Sequence, residues 1–134
     1  MDENESYNDD GLEEEGALAK NQSYRLAVHL GRNVVADATR IRANPLFVKV
    51  APQLVASVGS ISARIAEGYP RRSRADRVRY YEYAIGSTLE SRRWHGVARS
   101  ALSRDVVLDR MATLASIHRL LLATIRNDRN GKAW

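Results

Sequence analysis

The sequence predicts an all-α protein that folds as an antiparallel up-down-up-down four-helix bundle. Hydrophobic residues recur at intervals of three and four in four successive segments, which is the spacing of one helix face. Capping residues, Pro and Gly separate these segments by short connections, and short connections between long helices make neighbours antiparallel. The 134 residues show no β-strand alternation, internal repeat or Gly/Ser linker that competes with this prediction.

The first helix is predicted from about Ser23, a candidate N-cap, and the second begins at Asn44 and Pro45. The apolar stripe of the first comprises Leu26, Leu30, Val34, Ala38 and Ile41. The apolar stripe of the second comprises Phe47, Val50, Leu54, Val58, Ile61 and Ile65. Because the second stripe steps like a heptad repeat, it is typical of a bundle helix. Pro52 removes one backbone hydrogen bond, so we expect a kink between residues 48 and 52.

The third helix opens at Ser73, which forms a variant of a capping box with Asp76, and the fourth opens at Ser103. The predicted inward face of the third comprises Tyr80, Ala84, Ser87, Ser91, Trp94, Ala98 and Ala101. The predicted stripe of the fourth comprises Leu108, Met111, Leu114, His118, Leu121 and Ile125. Gly86 inside a helix costs roughly 1 kcal/mol relative to Ala, so we expect close helix packing there.

Charge is distributed very unevenly along the chain. Residues 1–19 hold eight of the 16 acidic residues and no Lys or Arg, whereas residues 20–134 carry 21 basic and eight acidic residues, a net charge of +13. We interpret residues 1–19 as a disordered acidic tail and residues 20–134 as the bundle domain. The tail serves either as a solubilising extension, which we favour, or as an electrostatic mimic of nucleic acid that folds onto the basic body.

Composition excludes several classes of protein and favours a polyanion partner. Eighteen of the 21 basic residues are Arg, whose planar guanidinium suits phosphates and carboxylates, although a G- and C-rich genome gives the same bias. The absence of Cys excludes disulfides, thiolate metal sites and a cysteine nucleophile. The sequence contains no run of 18 apolar residues and no secretion signal, so we expect a cytoplasmic protein without a membrane span.

A series of short motifs occupies residues 53–90. It comprises Gln53, Ser60-Ile61, Ile65-Ala66-Glu67-Gly68-Tyr69, Arg71-Arg72-Ser73, Tyr80 and Ala84-x-Gly86-Ser87-x-Leu89-Glu90. In order and spacing, the chain resembles the bacterial four-helix bundle family of proteins encoded in 23S rRNA intervening sequences. It departs from the family pattern at Arg64, at Pro70 and in residues 91–95. The resemblance implies a ring-shaped homo-oligomer of five subunits without established catalytic activity.

The densest basic stretch spans the end of the second helix and the start of the third. The candidate nucleic-acid-binding residues there are Arg64, Arg71, Arg72, Arg74, Arg77 and Arg79. Neighbouring aromatic residues offer stacking surfaces for unpaired bases. They are Tyr69, Tyr80, Tyr81 and Tyr83. In the alternative interpretation, these arginines pair with Glu67, Glu82 and Glu90 within or between subunits. No RRM, KH or zinc-finger signature is present, so binding would depend on shape and charge.

We interpret seven motif residues as structural and none as catalytic. They are Ser60, Glu67, Gly68, Ser73, Gly86, Ser87 and Glu90. Glu67 and Glu90 are expected in a buried hydrogen-bonded network that fixes helix register, rather than as a general acid and base. His29, His95 and His118 lack the spacing of metal ligands, and His118 is expected in the core. We therefore predict no metal, no cofactor and no enzymatic activity.

Two functions are compatible with these features. The first is a nucleic-acid-binding accessory protein that holds RNA or an RNA/DNA hybrid, for instance for a reverse transcriptase. The chain resembles the accessory variability protein of diversity-generating retroelements in size, charge and architecture, and that basic pentamer acts with a reverse transcriptase and its template RNA. The alternative is a protein-interaction scaffold whose arginines serve subunit contacts, with no nucleic-acid role.

Overall fold

The computed structural model describes residues 16–131, which form four α-helices joined by short connections. The helices are α1 (Gln22–Arg42), α2 (Val50–Gly68), α3 (Arg74–Val97) and α4 (Arg104–Arg129), with 3-10 turns at Leu18–Lys20, Pro45–Phe47 and Arg99–Ala101. No strand occurs in these residues, and the predicted all-α four-helix fold is confirmed. In the same part of the chain, no helix is long and apolar enough to cross a membrane. The predicted acidic tail lies mostly outside the described residues.

The helices pack in chain order around one core. The contact between α2 and α3 is the most extensive, and the contact between α1 and α4 that closes the bundle is the least extensive of the four. Because each connection is short, successive helices are antiparallel. The α2–α3 connection, the start of α1 and the end of α4 share what we name the single-loop end. The other two connections share the opposite, double-loop end.

Hydrogen bonds to the first turns explain where the helices begin. Ser73 and Ser103 each accept a hydrogen bond from the backbone N–H three residues further on, at 3.3 Å in both cases, which confirms both predicted caps. The helix α1 begins before the predicted Ser23, because Asn21 Oδ1 accepts a hydrogen bond from the N–H of Tyr24 at 3.0 Å. These bonds satisfy amides that the helices themselves leave unpaired.

The connection between α1 and α2 differs from the prediction. Asn44 caps the short turn Pro45–Phe47, and α2 begins only at Val50. Pro52 therefore lies in the first turn of α2, where a backbone N–H has no partner within the helix, and its missing donor has no cost there. The predicted kink is replaced by a break in the helix just before the proline.

The core is built from apolar side chains of all four helices. Buried members of the predicted stripes are Leu30, Val34, Ala38, Ile41, Leu54, Val58, Ile61, Ile65, Leu114, Leu121 and Ile125. Partly buried members at its edge are Leu26, Phe47, Val50 and Met111. The prediction for α4 is wrong at Leu108, which is 56% exposed, whereas Ile117, outside the stripe, is fully buried.

The buried face of α3 is displaced by one position from part of the prediction. Its buried residues are Val78, Tyr81, Ala84, Thr88, Ser91 and His95. Ala84, Ser91 and Ala98, which caps the end of α3, are buried as predicted, and Trp94 and Ala101 are partly buried. The predicted Tyr80 is only half-buried, and its neighbour Tyr81 takes the interior position. Because this face includes polar side chains, apolar spacing alone does not locate it.

Two motif glycines have opposite environments. A Cβ atom at Gly68 would lie 2.6 Å from Tyr80 Cβ and 3.2 Å from Tyr81 Cε1, because the start of α3 passes close to the end of α2. A Cβ atom at Gly86 would have no such neighbour within 4 Å, and Gly86 is exposed. The close packing expected at Gly86 therefore occurs at Gly68 instead.

We expect Gly68→Ala to lower the free energy of unfolding by about 1–3 kcal/mol, because the added methyl group would overpack against Tyr80. Gly86→Ala is the matched control and should raise it by roughly 0.5–1 kcal/mol, since alanine is the better residue at an exposed position inside a helix. Urea denaturation followed by circular dichroism measures both changes. Effects of the same sign would contradict the difference in packing.

The buried histidine is His95 on α3, and the predicted core residue His118 on α4 is only half-buried. His95 Nδ1 lies 2.7 Å from the carbonyl oxygen of Ser91, to which the neutral ring donates its proton. Burial lowers the pKa of His95 below its ordinary value of 6.5, against the opposing effects of the Ser91 hydrogen bond and the charge of Asp37, while the charge of Arg110 lowers it further. The ring therefore takes up a proton at a lower pH in the folded protein than in the unfolded chain.

Stability should fall as the pH drops below 6.5, because the unfolded chain binds a proton at this position while the folded chain does not. The contribution of His95 is fully present above 6.5 and is lost as the pH falls toward the lowered pKa of the folded state. His95→Leu should weaken the dependence of the free energy of unfolding on pH. His29→Gln, at an exposed position, should leave this dependence unchanged. Urea unfolding between about pH 5 and pH 8 measures the slopes, and an unchanged slope in His95→Leu would be inconsistent with a neutral buried ring.

Candidate nucleic-acid interface

The predicted arginines cluster at the single-loop end, but they are not equivalent. Arg64 forms an ion pair with Glu67 on α2, with 3.2 Å between Nη1 and Oε2. Arg79 forms one with Asp76 on α3, with 3.3 Å between Nη2 and Oδ1. The side chains of both pairs are about half exposed, so each pair contributes about 1 kcal/mol or less and both guanidinium groups stay accessible.

Arg77 is held in a partly buried ion pair. Its Nε and Nη2 atoms donate to the two carboxylate oxygens of Asp128 on α4, both at 2.8 Å. Its Nη1 atom donates to the carbonyl oxygens of Arg71 and Arg72, at 2.7 and 3.0 Å. The hydrogen bond to Asp128 raises the pKa of Arg77, against the opposing effect of burial. Arg77 therefore has a structural role that occupies its donors, and its role in nucleic-acid binding stays an untested prediction.

A second buried pair joins α1 to α4. Arg110 Nε and Nη2 donate to the carboxylate of Asp37 at 2.7 and 3.2 Å, and the Asp37 side chain is 4% exposed. Arg110 Nη1 also donates to the exposed Asp109 at 2.6 Å. The hydrogen bond to Asp37 raises the pKa of Arg110, whereas burial opposes it. Sequence analysis missed this pair because its partners are 73 positions apart.

Three arginines of the predicted set are exposed and have no carboxylate partner among residues 16–131, namely Arg71, Arg72 and Arg74. The Arg71 guanidinium lies 4.9 Å from the centroid of the Tyr80 ring and donates to its hydroxyl at 3.3 Å. The Arg74 guanidinium borders Gly131, where a Cβ atom would lie 3.0 Å from Nη2. We call the five exposed members of the set the arginine patch: Arg64, Arg71, Arg72, Arg74 and Arg79.

The aromatic residues beside the arginine patch differ in accessibility. Tyr81 is fully buried, so the prediction that it offers a stacking surface is wrong. Tyr83 is 50% exposed, and its ring meets the Tyr80 ring edge-on with 5.9 Å between centroids. The Arg64 guanidinium lies 5.8 Å from the Tyr83 centroid. Tyr83 is therefore an accessible ring next to exposed guanidinium groups, an arrangement that suits an unpaired base.

The motif carboxylates do not form the predicted buried network. Glu67 is exposed in its ion pair, and Glu90 is exposed and accepts a hydrogen bond from Trp94 Nε1 at 3.3 Å. The buried polar contact between α2 and α3 is the hydrogen bond between the hydroxyls of Ser57 and Ser91, 3.0 Å apart. The motif pattern alone did not distinguish exposed carboxylates from buried ones.

Three motif residues, Gly86, Ser87 and Glu90, line a shallow open groove on the surface between α2 and α3. The groove has a volume of about 360 Å³ and is lined by Arg64, Glu82, Tyr83, Gly86, Ser87 and Glu90. The motif residue Ser60 is half-buried and donates to the carbonyl oxygen of Ala56 on its own helix at 2.8 Å. Because Gly86 costs helix stability without allowing closer packing, we expect its role at the surface.

The double-loop end carries a second set of exposed basic residues that sequence analysis missed. They are Arg40, Arg42, Lys49, Arg92, Arg93, Arg99 and Arg104. Within the described part of the chain, none of them is in an ion pair. They are scattered from residue 40 to residue 104, and only the antiparallel packing brings them to one end. The available signal was the position of several of them near predicted helix ends.

The histidines lie on different helices and in different environments. His29 on α1 is exposed, His95 on α3 is buried and His118 on α4 is half-buried. Among residues 16–131, no group of three His, Asp or Glu side chains could hold a metal ion.

Comparison with known proteins covers most of the bundle, including the motif-bearing helices. The family model described as 23S rRNA-intervening sequence protein matches residues 19–121. The chain belongs to this family. A comparison with curated proteins gives no significant match. The matched residues include both motifs and the whole arginine patch.

A solved structure supports the fold of this member of the 23S rRNA-intervening sequence family. It is a protein of unknown function from the S23 ribosomal protein family of Bacteroides thetaiotaomicron VPI-5482, determined at 1.70 Å resolution. It matches the chain with a TM-score of 0.70 and 20% identity, over 77% of this chain and 97% of that chain. At this identity the similarity shows the fold alone.

We expect Arg77→Gln to lower the free energy of unfolding by about 3 kcal/mol. The substitution would leave the Asp128 carboxylate, whose side chain is 6% exposed, without its charged partner. Arg79→Gln on the same helix is the matched control and should change stability by less than about 1 kcal/mol, because its ion pair is exposed. Urea unfolding measures both variants, and similar small losses would argue against a structural role for Arg77.

Proposed function

We propose that this protein is a non-enzymatic, basic helical-bundle oligomer that binds nucleic acid, either RNA or an RNA/DNA hybrid, through its exposed arginines. The observation that carries the proposal is the excess of arginine over carboxylate. Residues 16–131 contain 18 Arg and eight Asp and Glu. Six of these acids form ion pairs with five arginines, so 13 arginines have no carboxylate partner within this part of the chain.

Such an excess attracts a polyanion for two physical reasons. Guanidinium groups without a nearby counter-charge repel one another, and phosphates relieve that repulsion while releasing their own condensed counterions. Arginine also binds phosphate through two donors at once, which lysine does not. In the arginine patch, Arg71, Arg72 and Arg74 supply phosphate contacts, and Tyr83 supplies a ring for a base. This combination favours single-stranded RNA over a duplex.

Self-association and a protein partner complete the proposal. The family resemblance favours a ring of five subunits. The resemblance to the accessory variability protein in size, charge and architecture favours a reverse transcriptase as the partner, in the cytoplasm.

A second candidate is a protein-interaction scaffold with no nucleic-acid role. The groove supports it, because Arg64, Glu82 and Glu90 place charges of both signs along one surface. In that case the exposed arginines would contact subunits or a protein partner. The scaffold predicts weak RNA binding that does not saturate.

We expect the full chain to bind a labelled single-stranded RNA saturably in fluorescence anisotropy, with log affinity falling linearly against log salt. The triple variant Arg71→Gln, Arg72→Gln, Arg74→Gln should reduce the slope by about 2, because each lost single-strand phosphate contact removes about 0.7. The substitutions keep the backbone carbonyls that accept from Arg77. Sedimentation velocity on the same samples gives the number of subunits.

The matched control is Arg92→Gln, Arg93→Gln, Arg99→Gln at the double-loop end, which removes the same charge. We expect it to change the slope less than the first triple variant does. No saturable binding at low salt would refute the nucleic-acid role and leave the scaffold. Equal losses in the two triple variants would refute the assignment of binding to the arginine patch.

A further inference from the structure

Half of the acidic residues of the chain lie in one short segment at its start. Residues 1–15 contain eight Asp and Glu and no Lys or Arg. Residues 16–131 contain 20 Lys and Arg against eight Asp and Glu, a net charge of +12. The acids of residues 1–15 are thus comparable in number to the 13 arginines that have no carboxylate partner within residues 16–131.

The structure shows where this segment joins the bundle. Leu18, in the turn Leu18–Lys20, is 6% exposed and belongs to the core, so it fixes the chain at the start of α1. The sequence assigned residues 16–19 to the tail, whereas in the structure Leu18 packs with the bundle. Because α1 is antiparallel to α2 and α4, its start lies at the single-loop end. The acidic segment is therefore joined to the bundle at the end that carries the arginine patch.

Chain length favours the arginine patch over the basic residues of the double-loop end. A random-coil chain of 15 residues has a root-mean-square end-to-end distance of roughly 20 Å. A helix of the length of α3, 24 residues, spans about 36 Å. The segment is attached at the near end, whereas the far end requires it to extend to roughly two-thirds or more of its maximum span of about 50 Å.

We infer that residues 1–15 dock through their carboxylates on the arginine patch at the single-loop end of their own chain. Arg71, Arg72 and Arg74 are the anchors, because they are exposed and have no carboxylate partner within residues 16–131. The attraction between surface charges is screened by salt, so the docked segment is released at high ionic strength. Covalent attachment keeps the local concentration of the segment near the millimolar range, which compensates for weak individual contacts.

Docking makes the segment compete with polyanions for the arginine patch, and this consequence rests on the proposed function. A segment that occupies the arginine patch nine-tenths of the time lowers the apparent affinity for RNA about tenfold. Only a ligand with enough phosphates to displace eight carboxylates then binds well. The acidic segment would in this way select long nucleic acids over short or mononucleotide ligands.

Paramagnetic relaxation measures docking without any nucleic acid. The chain has no Cys, so Ser6→Cys gives a single position for a nitroxide label in the full-length protein. At low salt we expect broadening of the amide signals of residues 71–74 and 126–131, and loss of this broadening in 1 M NaCl. The matched control replaces the eight acids of the segment with Asn and Gln and should show no broadening. Broadening that is absent, or equal at residues 43–49, would overturn the inference.

Two further measurements separate this inference from its alternatives. One sample mixes isotope-labelled protein that lacks the nitroxide with unlabelled protein that carries it, so only contacts between copies broaden its signals. Broadening as strong as in the protein that carries both labels would show docking between copies and overturn docking within one chain. The neutral-segment variant should bind single-stranded RNA about tenfold more tightly than the wild type. Broadening without any RNA binding would keep the docking and refute the proposed function. RNA binding without broadening would refute the docking and keep the proposed function.

Discussion

Two buried arginine–aspartate pairs hold α4 against its neighbours, and the arrangement of the surface depends on them. Arg77 and Asp128 join the end of α4 to α3, while Arg110 and Asp37 join its first half to α1 across the least extensive helix contact. Removing one partner of such a pair leaves an uncompensated buried charge and costs about 3–5 kcal/mol, although an apolar pair would often be as stable. The pairs therefore fix the position of α4 more than they add net stability.

The same pairs divide the arginines into two groups with different tasks. Arg77 donates to the carbonyl oxygens of Arg71 and Arg72, so one structural arginine orders the backbone of the connection that carries these two exposed arginines. Its own guanidinium is already hydrogen-bonded to these carbonyls and to Asp128. The buried pairs also consume Asp37 and Asp128, two of the eight carboxylates within residues 16–131. The surface is left strongly basic, and residues 1–15 hold most of the remaining negative charge.

Local features of this protein could be predicted from the sequence, and contacts between distant segments could not. The caps at Ser73 and Ser103 depend on residues within three positions, and the core faces of α1 and α2 are nearly all apolar. The buried face of α3 was misplaced because it includes Ser91 and His95, which apolar spacing does not reveal. The arginine patch was found as a basic stretch, but nothing local distinguishes Arg77 from its neighbours, because its partner lies 51 positions away.

Hydrogen exchange of two variants tests most directly whether each buried pair fastens one end of α4. We expect Asp128→Asn to speed exchange in residues 122–131 and in the connection 69–73, and to leave residues 104–112 protected. Asp37→Asn should speed exchange in residues 104–112 and leave the other end of α4 unchanged. Uniform acceleration along α4 in both variants, or no acceleration in either, would contradict the account.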